Sequence, residues 1–380
     1  MIGRKAELQR KDIERKMEDE DIIRKEDLPE ELVKNPYKTI LSWSERRFKK
    51  IGEKVFSFLA LIPHSIFIPP IPYEDDFFRV NLSFLLLTPA GGAKTKIAKA
   101  IEEIVINPVS FEDITSAELQ TELAGKEEVT LITGDAGRIL KDFDLIKAIE
   151  GVLSDSRVSK RNKREQLDYE IIGNLCMAGT PQDLTAYLGS GLLSRIIVMV
   201  LLHSKDEQDE IGKEIVDSIG LKSKQDVNIQ DIKNYYRWLY QIQKGLSKDF
   251  NPIKGYYFNE EFKSKIYNLW KNYREKAKVT SFENFYRELI GGIKFLCCSA
   301  FLNINNREIK NGLLVPNEED LRIALYLMHQ ELKTKIHILR NEKIARRIKD
   351  VAYLEKVATQ YRISKFNLDM IKLLIESREK

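Results

Sequence analysis

Residues 82–104 read Leu-Ser-Phe-Leu-Leu-Leu-Thr-Pro-Ala-Gly-Gly-Ala-Lys-Thr-Lys-Ile-Ala-Lys-Ala-Ile-Glu-Glu-Ile, an apolar run, a turn of small residues and a helical stretch in that order. The run to Leu87 predicts a buried strand and residues 94–104 a helix. Backbone N–H groups of such a loop, with the helix N-terminus behind them, make a pocket for anionic phosphate oxygens. Thr88, Pro89, Ala90, Gly91, Gly92, Ala93, Lys94, Thr95 and Lys96 form the predicted cradle. Lys94 is expected to reach the β- and γ-phosphates, and the Thr95 hydroxyl to ligate Mg²⁺, so ATP and Mg²⁺ are the expected cofactors. The usual pattern has glycine where Thr88 and Ala93 stand.

Such a site needs a second strand ending in an acid that holds the metal or polarises the attacking water. Val129-Thr-Leu-Ile-Thr-Gly-Asp135-Ala-Gly137 has that layout, with Asp135 as the carboxylate at the tip. Two acids in tandem are common there, whereas Gly134 fills the first place. Nucleotide binding without fast hydrolysis therefore stands open beside catalysis.

On either side of these motifs, apolar strand-like runs alternate with helical stretches from residue 78 to about 204, which predicts an α/β fold with a parallel sheet flanked by helices. Residues 35–204 are expected to form this core and residues 1–34 a charged arm. Residues 205–335 are expected to form an all-helical lid, and 336–380 a helix-turn-helix-like, at most winged-helix-like, segment. An apolar loop interrupted by prolines is expected to about residue 72. A chain of 380 residues with 43% hydrophobic residues can bury a full core. The balance of 62 Lys+Arg against 58 Asp+Glu leaves a net charge of +4, too small to imply a polyanionic partner except through a local patch. Cys176, Cys297 and Cys298 offer no disulfide framework or paired metal-ligand spacing, which suits a reducing cytoplasm. No signal peptide or membrane span is expected, because prolines and His64 break the longest apolar stretch.

The order of these motifs resembles the minichromosome maintenance (MCM) helicases and their relatives encoded by plasmids and viruses. Ala93 stands before Lys94 as alanine does in the MCM loop, and Asn35-Pro36-Tyr37 is similar to the opening of MCM ATPase modules. Gly173-Asn-Leu-Cys-Met-Ala-Gly-Thr180-Pro181 is similar to the sensor strand, with Thr180 where MCM proteins usually have asparagine. Gly191-Leu-Leu-Ser-Arg195 is similar to the signature whose arginine acts on a neighbouring subunit's nucleotide. The resemblance implies an AAA+ P-loop core, a lid in which Arg287 senses nucleotide, and a homo-oligomer, expected to be a hexameric ring. It further implies an ATPase that moves on or unwinds DNA in replication of a mobile element. An ATP-stabilised DNA-binding or assembly protein with little hydrolysis is the alternative.

Arg157-Val-Ser-Lys160-Arg161-Asn-Lys163-Arg164 falls where MCM proteins place a hairpin in the ring's channel. Lys160, Arg161, Lys163 and Arg164 are therefore the expected DNA contacts, salt-dependent and blind to sequence. Tyr235, Tyr236 and Trp238 have the helical spacing of packing residues, and the four histidines form no cluster.

Overall fold

Which runs become central strands follows from the absence of a polar face: in both Phe84–Leu87 and Glu128–Thr133 every residue is buried. Such strands need cover on two sides, which helices supply in a parallel sheet. The computed structural model describes residues 22–48, 50–89, 94–112, 114–155, 157–161, 166–183, 195–201, 227–276, 286–347 and 365–376, with a few isolated positions between 201 and 227.

Helices α1 (Pro36–Phe48) and α2 (Lys50–Leu59) precede a hairpin of β1 (Ile71–Tyr73) and β2 (Asp76–Phe78), which leads into β3 (Phe84–Leu87). Next come α3 (Lys94–Ile104), β4 (Pro108–Ser110), α4 (Ser116–Leu123), β5 (Glu128–Thr133) and α5 (Phe143–Glu150). An antiparallel hairpin of β6 (Arg157–Arg161) and β7 (Gln166–Glu170) follows, then β8 (Ile172–Gly179) and β9 (Ile197–Val200). The core strands lie in the order β4-β5-β8-β3-β9, all parallel. From β3 the chain crosses to the β4 edge, whereas from β8 it crosses β3 to the β9 edge. The two connections leave in opposite directions, and a crevice opens outside the carboxyl ends of the strands at such a switch point.

The second half comprises α6 (Ile229–Gln243), β10 (Gly255–Tyr256), α7 (Glu260–Lys276), α8 (Tyr286–Leu302), β11 (Glu308–Lys310), β12 (Leu313–Val315), α9 (Glu318–Arg347) and α10 (Lys365–Glu376). One cluster of buried side chains runs through both halves, from Leu28 to Ile371. Tyr235, Tyr236 and Trp238 are fully buried in it, and the Tyr236 hydroxyl donates to the Ala60 carbonyl at 2.7 Å. Asn174 in β8 donates to the Ile62 carbonyl at 2.9 Å, tying the lead-in to the sheet.

Several expectations need correction. The expected proline-interrupted loop is helical as far as Ser65: α2 is followed by a helical turn, Ile62–Ser65, with Pro63 in its first positions, where no backbone N–H is needed, and irregular chain leads from there to β1. The lid segment is not all helical, since β10, β12 and β11 form a small sheet. Its hairpin turns on Asn311 and Gly312, at φ 54 and 82, the left-handed conformations a two-residue turn requires. The expected boundary between residues 335 and 336 falls inside α9, which continues to Arg347. Leu28, Leu32 and Val33, within the expected arm, are buried. Residues 348–364 of the expected helix-turn-helix-like segment lie outside the described residues, and α10 packs on α9. Among the described residues no helix is long and apolar enough to cross a membrane.

Candidate functional site

At the carboxyl edge of the sheet, the Thr88 N–H donates to the Gly179 carbonyl at 3.1 Å, which holds the tips of β3 and β8 together. Thr88 is fully buried, and its Oγ1 has no hydrogen-bond partner among the described residues. Pro89 and Lys94 are half-buried, while Thr95 and Lys96 are exposed at the start of α3. Ala90, Gly91, Gly92 and Ala93 lie outside the described residues. Ile97, Ala100, Ile101 and Ile104 bury one face of α3, which fixes the direction in which its N-terminus points.

Asp135 is exposed at the tip of β5, caps the following helical turn by accepting from the Arg138 N–H at 3.4 Å, and keeps the rest of its carboxylate toward solvent. Glu112, after β4, reaches the same tip: a Cβ on Gly134 would stand 3.3 Å from its Oε1. Thr180 follows β8, and both its N–H and its hydroxyl donate to Asp183 Oδ2, at 2.8 and 2.9 Å. Asp183 is wedged against two strand tips. A Cβ on Gly137 would lie 2.3 Å from its Oδ1, and one on Gly179 2.9 Å from its Oδ2, so a side chain at either position would displace the carboxylate. Sequence reasoning missed Asp183, although Thr180-Pro-Gln-Asp183 has the spacing of a helix-start cap.

The described residues therefore bring Thr88, Lys94, Asp135 and Thr180 to one edge. For Mg²⁺ they offer the Thr95 hydroxyl and the Asp135 carboxylate, and no group of three or more His, Cys, Asp and Glu side chains among them could hold a metal. An ion sharing its shell between one or two protein oxygens, phosphates and water suits that donor set.

Arg195 and Arg287 do not join this edge. Arg195 precedes β9, at the sheet's amino edge, and its guanidinium lies 3.3 Å from Glu150 Oε1. Arg287 lines the same cavity of about 650 Å³ as Arg195, together with Asn81, Ser83, Lys294 and Glu331. The four residues of β3 alone put about 13 Å between the two edges. Partial burial, and then the neighbouring Arg195 charge, lowers the pKa of Arg287. Burial pushes the Lys294 amine down to about 8, and that amine donates to the Asn81 carbonyl at 3.4 Å. Lys335 donates to Glu288 and Glu331 at 2.8 Å each, while Glu331 Oε2 is buried without a partner among the described residues, and burial raises that acid's pKa. Lys294 was also missed, although its spacing of seven from Arg287 places both on one face of α8.

Lys160 and Arg161 belong to β6, opposite Leu167 and Gln166 of β7. Lys163 and Arg164 lie outside the described residues. No family model matches the chain, and no curated protein is significantly similar to it.

Proposed function

We propose that this chain is a P-loop ATPase of the AAA+ kind, similar to the MCM helicases, that binds ATP and Mg²⁺ between copies of itself and acts on DNA as a ring. The observation that carries the reading is the division of the motifs between the two edges of one parallel sheet. The loop of Lys94, the acid Asp135 and the polar Thr180 follow β3, β5 and β8 and converge at the switch point, where α/β sheets bind nucleotides. Arg195 and Arg287 share a cavity on the far side, where they can serve only a nucleotide brought by another copy. Both arginines therefore act in trans, so a complete site requires two protomers. The β6–β7 hairpin is the proposed DNA contact, through Lys160, Arg161, Lys163 and Arg164.

Turnover of ATP, measured with and without single-stranded and duplex DNA at several salt concentrations, tests this reading. Lys94→Ala is expected to lower turnover at least about 100-fold by removing the cation on the transferring phosphates. A rate that survives the substitution removes Lys94 from the site and the ATPase reading with it. Gly134 in place of the first of two tandem acids before Asp135 favours a second reading, assembly held by bound ATP with little hydrolysis. A particle that grows on ATP addition without measurable turnover would select it.

A further inference from the structure

The Thr180–Asp183 pair, whose roles follow from the ATPase reading above, has a proton arrangement that assigns each partner a task. A threonine hydroxyl has one hydrogen and two lone pairs, and an ionised carboxylate only accepts. The Thr180 hydroxyl donates its single hydrogen to Asp183 Oδ2, which also receives the Thr180 N–H. In an ordinary helix cap the hydroxyl oxygen is occupied by accepting from a backbone N–H. Here the Asp183 N–H goes instead to the Thr180 carbonyl at 3.0 Å, so the lone pairs of Thr180 Oγ1 are left unused by the turn. The carboxylate packs against the backbones of Gly137 and Gly179, in space that a side chain at either position would fill. The adjoining tip carries the buried Thr88 hydroxyl, a second polar group at this edge without a protein partner among the described residues.

We propose that Asp183 is a positioning residue for the water that attacks the γ-phosphate. By holding the only hydroxyl hydrogen of Thr180, it makes Thr180 Oγ1 an obligatory acceptor. That oxygen takes one O–H of the water, whose lone pair is left to face phosphorus. Asp183 thereby offsets the missing tandem acid at Gly134 from the tip of the next strand.

The test uses the intact chain as Asp183→Asn, Thr180→Val, Thr180→Ser and the Asp183→Asn/Thr180→Val pair. The amide introduced by Asp183→Asn can donate to Thr180 and release the hydroxyl hydrogen, with little change in volume. Asp183→Asn is expected to lower kcat about tenfold or more with KM for ATP within about twofold. It should weaken capture of ADP–aluminium fluoride, which requires an in-line water, and spare ADP and ADP–beryllium fluoride. Thr180→Ser should retain activity, and Asp183→Asn should add nothing on the Thr180→Val background, because it acts through that hydroxyl. Additive losses, or an Asp183→Asn rate within about twofold of the parent, would overturn the proposal. If Asp183→Asn does not fold, a Thr180→Val chain with unchanged kcat and aluminium fluoride capture overturns it. Failure of the parent chain to take up ATP sinks the ATPase reading itself, whereas intact uptake with insensitive aluminium fluoride capture sinks only the role of Asp183.

Discussion

The two edges of the central sheet are built by different means. At the carboxyl edge every candidate residue sits within a few positions of the end of its own strand, and parallel pairing alone brings Thr88, Asp135 and Thr180 together. At the amino edge the cavity collects residues preceding β3 and β9 with others from α8 and α9, so helix packing assembles it. The first edge carries the residues of the proposed phosphate site, with Arg138 beside Asp135 donating its guanidinium to the Glu112 carbonyl at 3.4 Å. The second has arginines but no cradle. On the reading proposed above, stacking copies edge to edge would bring Arg195 and Arg287 of one copy to the Lys94 loop of the next.

The largest effect that could break this complementarity is a mixing experiment. Arg195→Ala is expected to lower turnover by on the order of 10³ while leaving ATP affinity unchanged, as for an arginine that acts only on the transition state. Arg287→Ala should fall in the same direction by a smaller factor. Neither Arg195→Ala nor Lys94→Ala should turn over alone, yet mixed and reassembled they should regain a measurable fraction of the parent rate. Interfaces joining an intact Lys94 loop to an intact Arg195 would produce that recovery. Mixtures as inactive as their components would place the arginine and the loop in one protomer's site, contrary to the separation seen across β3.

This contrast also explains what could be read in the sequence. The strands β3, β5, β8 and β9 were legible because each is an apolar run beside a punctuating turn, and the carboxyl edge followed from them. The strand β4 was not, since Pro108–Ser110 is too short to display a period and carries proline at a sheet edge. Asn311-Gly312 was a hairpin signal hidden among helical stretches. Arg287 was legible as a candidate but its location was not, because the packing of α8 against α9 and the sheet decides it. Asp183 went unnoticed because a capping pattern has an ordinary structural meaning, and only its wedge between Gly137 and Gly179 distinguishes it.

A second measurement asks whether the body between the edges tolerates acid. His64 is fully buried between Tyr236 and Phe301, with ring centroids 5.9 and 6.1 Å away, and its Nε2 pairs with the Cys298 carbonyl at 2.8 Å. Burial lowers its pKa to about 4 from the usual 6.5. The unfolded chain therefore binds the proton first as pH falls, and this one group should remove about 3 kcal/mol of stability between pH 7 and pH 4. Denaturant titrations should show His64→Phe less stable than the parent at pH 7, where the Cys298 carbonyl loses its donor, but with a shallower acid slope. Parallel slopes would mean that His64 is not held neutral, and the packing of the Ile62–Ser65 turn on α6 and α8 would need revision.

The smallest effect concerns the amino edge alone. The cavity gathers Arg195, Arg287 and Lys294 together with Glu331, and burial holds the Lys294 pKa at about 8 instead of 10.5. A lysine whose folded pKa is depressed lowers stability while it remains charged in the folded chain, and the cost disappears as pH rises from about 8 through 10.5. Lys294→Met should therefore raise stability at pH 7 by about 2 kcal/mol, and the difference from the parent should shrink as pH rises past about 8 and vanish only above about 10.5. The same substitution should weaken ATP-driven assembly, because the cation that burdens the isolated chain is the one a neighbour's phosphates would satisfy. A gain in stability at neutral pH with assembly untouched would leave Lys294 a buried charge outside the shared site. No gain at all would show that the cavity is already compensated without a neighbour, and the two edges would then not need each other.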